Sequence, residues 1–233
     1  MIEKQQLLTL VHSDAKTQAL LHLSEEELCV LFGAAFAGMK DYAQNNPHHC
    51  YDLLTHAVYV TLGIGDAGIP KTDFEVLRIA ALWHDVGKPF VAAEKAGRTV
   101  YYNHAYHSAL IAAPALERIG FSAAEAGRIC FFIQNHDLFI DFKLPEEISD
   151  TFAGRAINEK NVYRAVNTAK KSAYENGNYI PTEFDFLLLT RLSHADYAAQ
   201  SEKAIYGGVV KDTKTNKLKR IEAIYRILAA QEK

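Results

Sequence analysis

The chain has 233 residues, of which 49% are hydrophobic and 23% charged, a balance that excludes a disordered segment and a disulfide-stapled mini-protein. Lys and Arg number 25 against 28 Asp and Glu, a net charge of −3, so no overall positive field marks a general nucleic-acid binder, and only a local basic patch is left open. Cys29, Cys50 and Cys130 are odd in number, far apart and never in a C-x-x-C pair, which argues against a disulfide framework and a cysteine zinc site and for a reducing compartment.

Apolar spacing predicts helices over about 2–12, 24–44, 50–62, 73–84, 104–119, 123–136, 159–175, 183–206 and 217–231. Four starts carry a hydroxyl residue followed three positions later by an acid, the reciprocal capping pattern: Ser24/Glu27, Thr72/Glu75, Ser122/Glu125 and Thr182/Asp185. Connectors are expected at 45–47, 63–70, 87–97, 141–153 and 175–181. Strand signals are confined to Arg98–Tyr102 and to Gly207-Gly208 with Val209-Val210 after it, so at most one small hairpin is expected. The expected fold class is all-α, a single helical bundle over residues 1–233. Met1–Gln6 lacks the basic-then-apolar pattern of a leader, and no run is apolar and long enough to span a bilayer. A cytoplasmic protein with no membrane partner is expected.

Ten histidines are the informative feature. His84-Asp85 sits where the 73–84 helix runs out before Gly87 and Pro89. In mid-helix such neighbours diverge by about 100°, whereas a loosened helix end lets an imidazole and a carboxylate turn to one point. His56 lies among Leu53, Leu54 and Val60 on the preceding helix, and Asp196 shares a face with Leu189, Leu192 and Ala199. A carboxylate on an apolar stripe is costly unless paired or bound to a cation. His56, His84, Asp85 and Asp196 therefore form a candidate N/O set for one divalent ion, the alternatives being a capped helix end for the doublet and a buried structural pair for His56 and Asp196.

These strings resemble the HD superfamily of metal-dependent phosphohydrolases, and within it the HD domains attached to bacterial tRNA nucleotidyltransferases and poly(A) polymerases. Asn46–His56 is similar to the segment leading to their first metal histidine, and His84-Asp85-Val86-Gly87-Lys88-Pro89 to their H-D-x-G-K-P box. Tyr102–Ala109 resembles F-x-G-H-E-x-x-S-A, with Asn103 for Gly and Ala105 for Glu, and Gln134-Asn135-His136 the further histidine. The resemblance spans about residues 46–200 and implies a stand-alone HD domain, that core carrying helical extensions at both ends. It implies a first ion on His56, His84, Asp85 and Asp196, and a second on His104 and His136 with Asp85 bridging. A mononuclear site is the alternative, since Ala105 removes a carboxylate. Mn, Fe, Co or Mg suits the donor set better than Zn.

The activity implied is hydrolysis of a phosphomonoester or phosphodiester, foremost of a nucleotide, by a metal-activated hydroxide, with Asp85, Lys88 and His104 in catalysis and Lys88 offsetting charge on a phosphoryl oxygen. The rivals are a nucleotide-binding regulatory module and an RNA-associated accessory domain. RNA would engage the Lys211, Lys214, Lys217, Lys219, Arg220 cluster, which otherwise reads as a solvated turn. His107 reads as a hydrogen-bond partner of the site or a ligand, and Asp137 as a solvated cap by default, the alternatives being to bridge, to orient or to donate a proton. Arg78 reads as a surface cation, and His12, His22, His48, His49 and His194 as structural or exposed. Tyr101 and Tyr102 are candidates for stacking on a base, and Phe131, Phe132, Phe184 and Phe186 for core packing. The sequence leaves substrate and oligomeric state open.

Overall fold

The computed structural model describes residues 1–148, 154–176 and 179–230. The expected connectors at 141–153 and 175–181 and the end of the 217–231 helix therefore fall partly outside the described residues. In order along the chain run α1 (Lys4–His12), α2 (Asp14–Ala19), α3 (Glu25–Phe32), α4 (Ala34–Ala37), α5 (Leu53–Gly63), α6 (Lys71–Trp83), α7 (Lys88–Val91), β1 (Ala92–Lys95) and β2 (Arg98–Tyr101). They are followed by α8 (His104–Ile119), α9 (Ala123–Asn135), β3 (Phe142–Lys143), β4 (Arg155–Ala156), α10 (Glu159–Asn176), α11 (Glu183–Ala198), β5 (Lys203–Tyr206), β6 (Val209–Thr213) and α12 (Lys214–Ala229). Helices dominate, as expected. The expectation of at most one hairpin is corrected: β1–β2 and β5–β6 are antiparallel hairpins, and β3 pairs with β4 in parallel. None of the described helices is long and apolar enough to cross a membrane.

Three of the four capping boxes form, at Ser24/Glu27, Ser122/Glu125 and Thr182/Asp185. The fourth does not. α6 starts at Lys71 behind Pro70, so Thr72 is already helical, and Glu75 turns instead to His12 Nε2 at 2.9 Å. The expected 24–44 helix breaks at Gly33, whose φ of +95° lies in the region open to glycine and strained for other residues. The expected 183–206 helix stops at Ala198, and its last residues become β5, which turns back through Gly207-Gly208. Asp52 caps α5 and Thr213 caps α12, each accepting from the backbone N–H three residues on.

α5 packs on α6, α6 on α9, and α11 on α5, α6 and α9, around a single buried apolar cluster. Trp83 seats against Phe36 and Phe32 (ring centroids 4.9 and 6.3 Å), fixing the C-terminal end of α6. Phe131 meets Phe132 and Phe186 at 5.4 Å each, in the core as expected. Arg128 of α9 pins the opposite ends of the same helices. Its Nε and Nη2 donate to Asp185 Oδ1 of α11 (3.0 and 2.8 Å) and its Nη1 to Asp73 Oδ1 of α6 (2.6 Å). Arg78 is buried rather than a surface cation: it donates to the carbonyls of Ile64 and Val11 (3.1 and 2.8 Å) and pairs with Asp14, sewing α1–α2 to the loop between α5 and α6. An arginine so placed satisfies backbone acceptors that the surrounding helices leave open.

Candidate metal centre

α6 ends at Trp83, and the chain continues through turns, with Val86 N–H donating to Trp83 O and Lys88 N–H to Asp85 O (3.2 and 2.9 Å). Gly87 lets α7 and α8 approach: a Cβ there would fall 2.5 Å from Ser108 N and 2.8 Å from His104 O, both backbone atoms. Its N–H donates to Ser108 Oγ at 2.9 Å, which seats the start of α8 beside the doublet. His84 and Asp85 therefore leave the helix together, and His104 arrives from α8.

Three imidazoles share one device. His84 Nδ1 lies 2.7 Å from Ala81 O, His136 Nδ1 2.7 Å from Ile133 O, and His104 Nδ1 2.8 Å from Tyr101 O. A carbonyl only accepts, so Nδ1 carries the proton and Nε2 presents its lone pair to the centre. The Nε2 atoms of His104 and His136 are 3.1 Å apart. Two facing lone pairs at that distance repel unless a proton or a cation lies between them.

Asp85 divides its two oxygens. Oδ2 faces His84 Nε2 (3.1 Å), His56 Nε2 (3.7 Å) and Lys88 Nζ (2.6 Å), while Oδ1 faces the Nε2 atoms of His104 (3.2 Å) and His136 (3.6 Å). Asp196 Oδ1 closes the first group, 3.0 Å from His56 Nε2 and 3.9 Å from His84 Nε2. Among the described residues, His56, His84 and Asp85 form one cluster able to ligate an ion, and Asp85, His104 and His136 another, ligand atoms within 4.8 Å of each other in each. Both nitrogens of His56, His84 Nε2 and Asp85 Oδ1 are buried without an aligned hydrogen bond, so the donor set is unsatisfied by the protein alone and fits divalent cations.

Electrostatics agree with a charged centre. Burial pushes the Asp85 carboxyl up, but His84 and Lys88 outweigh it and hold it well below the usual range. Asp196 is likewise lowered, burial being overcome by His56 and His84. Burial opposes protonation of His84, yet Asp85 lifts it to about 8, so that without a cation a proton occupies the Nε2 lone pair which a bound ion would take. His104 is raised by Asp85 against burial, whereas burial, with the charges of His84 and His104, lowers His136.

The family model of the HD domain matches residues 48–176, more than half of the chain. The chain belongs to the HD domain family. No curated protein matches it. Asp196 lies beyond the segment that carries the family match and is placed at the HD centre by geometry alone.

The structure thus gathers His56, His84, Asp85, Lys88, His104, His136 and Asp196 at one centre, and of these Asp85, Lys88, His104, His136 and Asp196 line a cavity of about 710 Å³. Asp137 is corrected from a solvated cap: its Oδ2 lies 3.3 Å from His104 Nε2 and 3.8 Å from His136 Nε2, and it lines the cavity. Lys88 is buried, donating to Gln44 Oε1 at 2.8 Å and lying 3.3 Å from His49 Nε2. His107 packs edge-on against Tyr106 and does not reach the site, and His194 is exposed, as expected. Tyr101 and Tyr102 line the cavity; the Tyr101 hydroxyl donates to Gln44 O, and Tyr102 is exposed. Tyr101 is the last residue of β2, within the expected strand signal. His48 and His49 line it too, beyond the structural or exposed role expected of them. The basic cluster is only partly solvated: Lys211 and Lys219 are exposed as expected, whereas Lys217 and Arg220 are buried, Arg220 gripping Glu147 and Asp212, and Lys214 pairs with Glu202.

Proposed function

We propose that this HD domain hydrolyses a phosphoester, foremost of a nucleotide, with one or two divalent cations held at the paired clusters. The observation that carries the reading is the division of Asp85, one oxygen turned to His56 and His84 and the other to His104 and His136. His56, His84, Asp85 and Asp196 would hold one ion, and Asp85, His104 and His136 the other. Mn, Fe, Co or Mg suits these N/O donors better than Zn. When bound, such ions supply Lewis acidity, lowering the pKa of water and screening charge on the phosphoryl oxygens.

The remaining work falls to side chains. Lys88 Nζ, 2.6 Å from Asp85 Oδ2, fixes the carboxylate that both clusters share and brings a positive charge to the cavity, where it would offset negative charge gathering on a phosphoryl oxygen. The carbonyls of Ala81, Tyr101 and Ile133 lock three imidazoles in the ligating tautomer. Asp137, partly exposed beside His104, supplies the second cluster with a carboxylate despite Ala105, which weakens the case for a purely regulatory module. The internal pairing of Arg220 and Lys214 leaves less of the basic cluster for RNA. The test is metal analysis with hydrolysis of an aryl phosphate, an aryl phosphodiester and a nucleotide panel. Asp85→Ala is expected to lose bound metal and turnover together, and full metal retention in that variant overturns the assignment.

A further inference from the structure

The cavity wall holds a buried cation that makes no ion pair among the described residues, the carboxylates of Asp212 and Asp196 acting on it only from beyond 4.0 Å. Lys217 of α12 is 8% exposed and lines the same cavity as the metal cluster. Its Nζ donates to Gln200 Oε1 (2.6 Å) and lies 2.9 Å from His48 Nδ1. Burial, reinforced by the nearby Lys217 charge, lowers His48 to about 4, so its ring is neutral at neutral pH and accepts that bond. Both partners are therefore neutral, and among the described residues no carboxylate oxygen comes within 4.0 Å of Nζ. Arg220, one turn further on, shows the ordinary solution to the same problem by gripping two carboxylates. A buried ammonium lacking such a partner is costly, and it has three donors of which two are used.

Two observations give the unpaired charge a direction. Gln200 reaches Asp196 with its amide nitrogen (3.2 and 3.3 Å to the two oxygens) while its carbonyl takes Lys217, so one amide side chain separates Lys217 from the metal cluster. Arg98, also on the cavity wall, rests its guanidinium on the Tyr206 ring (4.5 Å), interacts with the Tyr206 hydroxyl, and has no carboxylate partner among the described residues. We propose that Lys217 and Arg98 form a second anion subsite, which takes a phosphate of the substrate other than the one hydrolysed. On the hydrolase reading above, the substrate class is then a phosphoester carrying at least two phosphates, such as a nucleoside bisphosphate or polyphosphate, in preference to a monophosphate.

The test is calorimetric titration of chelator-treated protein with inorganic pyrophosphate and inorganic phosphate, beside turnover of matched nucleoside mono- and bisphosphates by the metal-loaded enzyme. Lys217→Met is expected to weaken pyrophosphate binding about 10- to 100-fold, the range of one charge-assisted hydrogen bond, and to raise KM for the bisphosphate while sparing the monophosphate. Lys217→Arg should retain most of the affinity. Should Lys217→Met fail to fold, Arg98→Gln, which breaks no ion pair, is expected to lose pyrophosphate affinity several-fold. Pyrophosphate affinity unchanged in Lys217→Met, or in Arg98→Gln where that variant stands in for it, overturns the subsite. Pyrophosphate binding that depends on Lys217 without hydrolysis of any phosphoester supports the subsite and removes the hydrolase. Hydrolysis that depends on Asp85, with the preference for bisphosphate untouched by Lys217→Met, does the reverse.

Discussion

Arg128 offers a way to separate the scaffold from the chemistry. It joins α6, α9 and α11, the helices that deliver His84, His136 and Asp196, but it does so near the start of α6 and α11, away from the ligands. In Arg128→Met, Asp185, a fully buried carboxylate, keeps Oδ2 bonded to Tyr179 OH and to Thr182 N–H and Oγ1 (2.8 Å each), while Oδ1 loses both of its donors. Breaking a buried pair costs about 3–5 kcal/mol, and the three surviving bonds place this case near about 3 kcal/mol. For a chain of this size each kcal/mol shifts Tm by about 2–4 °C, so Tm should fall by about 6–12 °C.

Thermal unfolding in the presence of a chelator reads that loss without the contribution of bound ions. Metal stoichiometry at room temperature, measured separately, should stay near that of the unmodified protein, because the ligating ends of the helices are held by Trp83 and the carbonyl-anchored imidazoles. Adding Asp185→Asn to Arg128→Met removes the stranded charge and should recover part of the stability. A Tm shift under about 2 °C, or a double variant no more stable than the single, would show that the clamp does not hold these helices.

Chelation itself should lower Tm by about 5–11 °C if the ions are present at about 100 times their Kd, and no change on chelation would argue against a resident metal. Gly87→Ala drives a Cβ against the backbone of Ser108 and His104 and should cost about 1–3 kcal/mol, with metal content falling by the share that His104 holds; an unaltered melting curve and metal content would refute the close-approach argument. His48 has its pKa lowered from 6.5 to about 4, so on acidification the unfolded chain takes up this proton first, and the associated stability, intact above about pH 6.5, drains away as pH falls toward about 4. The loss amounts to about 3 kcal/mol in total, and His48→Asn should flatten that part of the stability-against-pH curve; superimposable curves would contradict it.

The parts of the centre legible in the sequence were those whose cause is local. Gly87 and Pro89 mark the end of α6 and so the freedom of His84-Asp85, and an acid on the apolar stripe of α11 announces Asp196. Lys217 and His48 were not legible, because they meet only after β5–β6 folds the chain back at Gly207-Gly208 and brings the start of α12 over the cavity. Periodicity carries a helix through 183–206 and so conceals that reversal. The break at Gly33 escaped for a related reason, since apolar spacing continues across it while the backbone does not.

Asp137 defaults to a solvated cap in the sequence although a stronger signal is present: His136-Asp137 ends α9 as His84-Asp85 ends α6. Both histidines occupy the C-cap, and each directs Nδ1 to the carbonyl three residues back, one of the acceptors that a helix end leaves without an intrahelical partner. That single bond satisfies the carbonyl, selects the tautomer and aims Nε2 beyond the helix. The aspartate that follows lies outside the helical spiral and turns to the same side, which its position in mid-helix would forbid. Two helix C-termini, each the negative end of its dipole, then converge on one point already carrying Asp85, Asp137 and Asp196, an arrangement whose repulsion is relieved by cations.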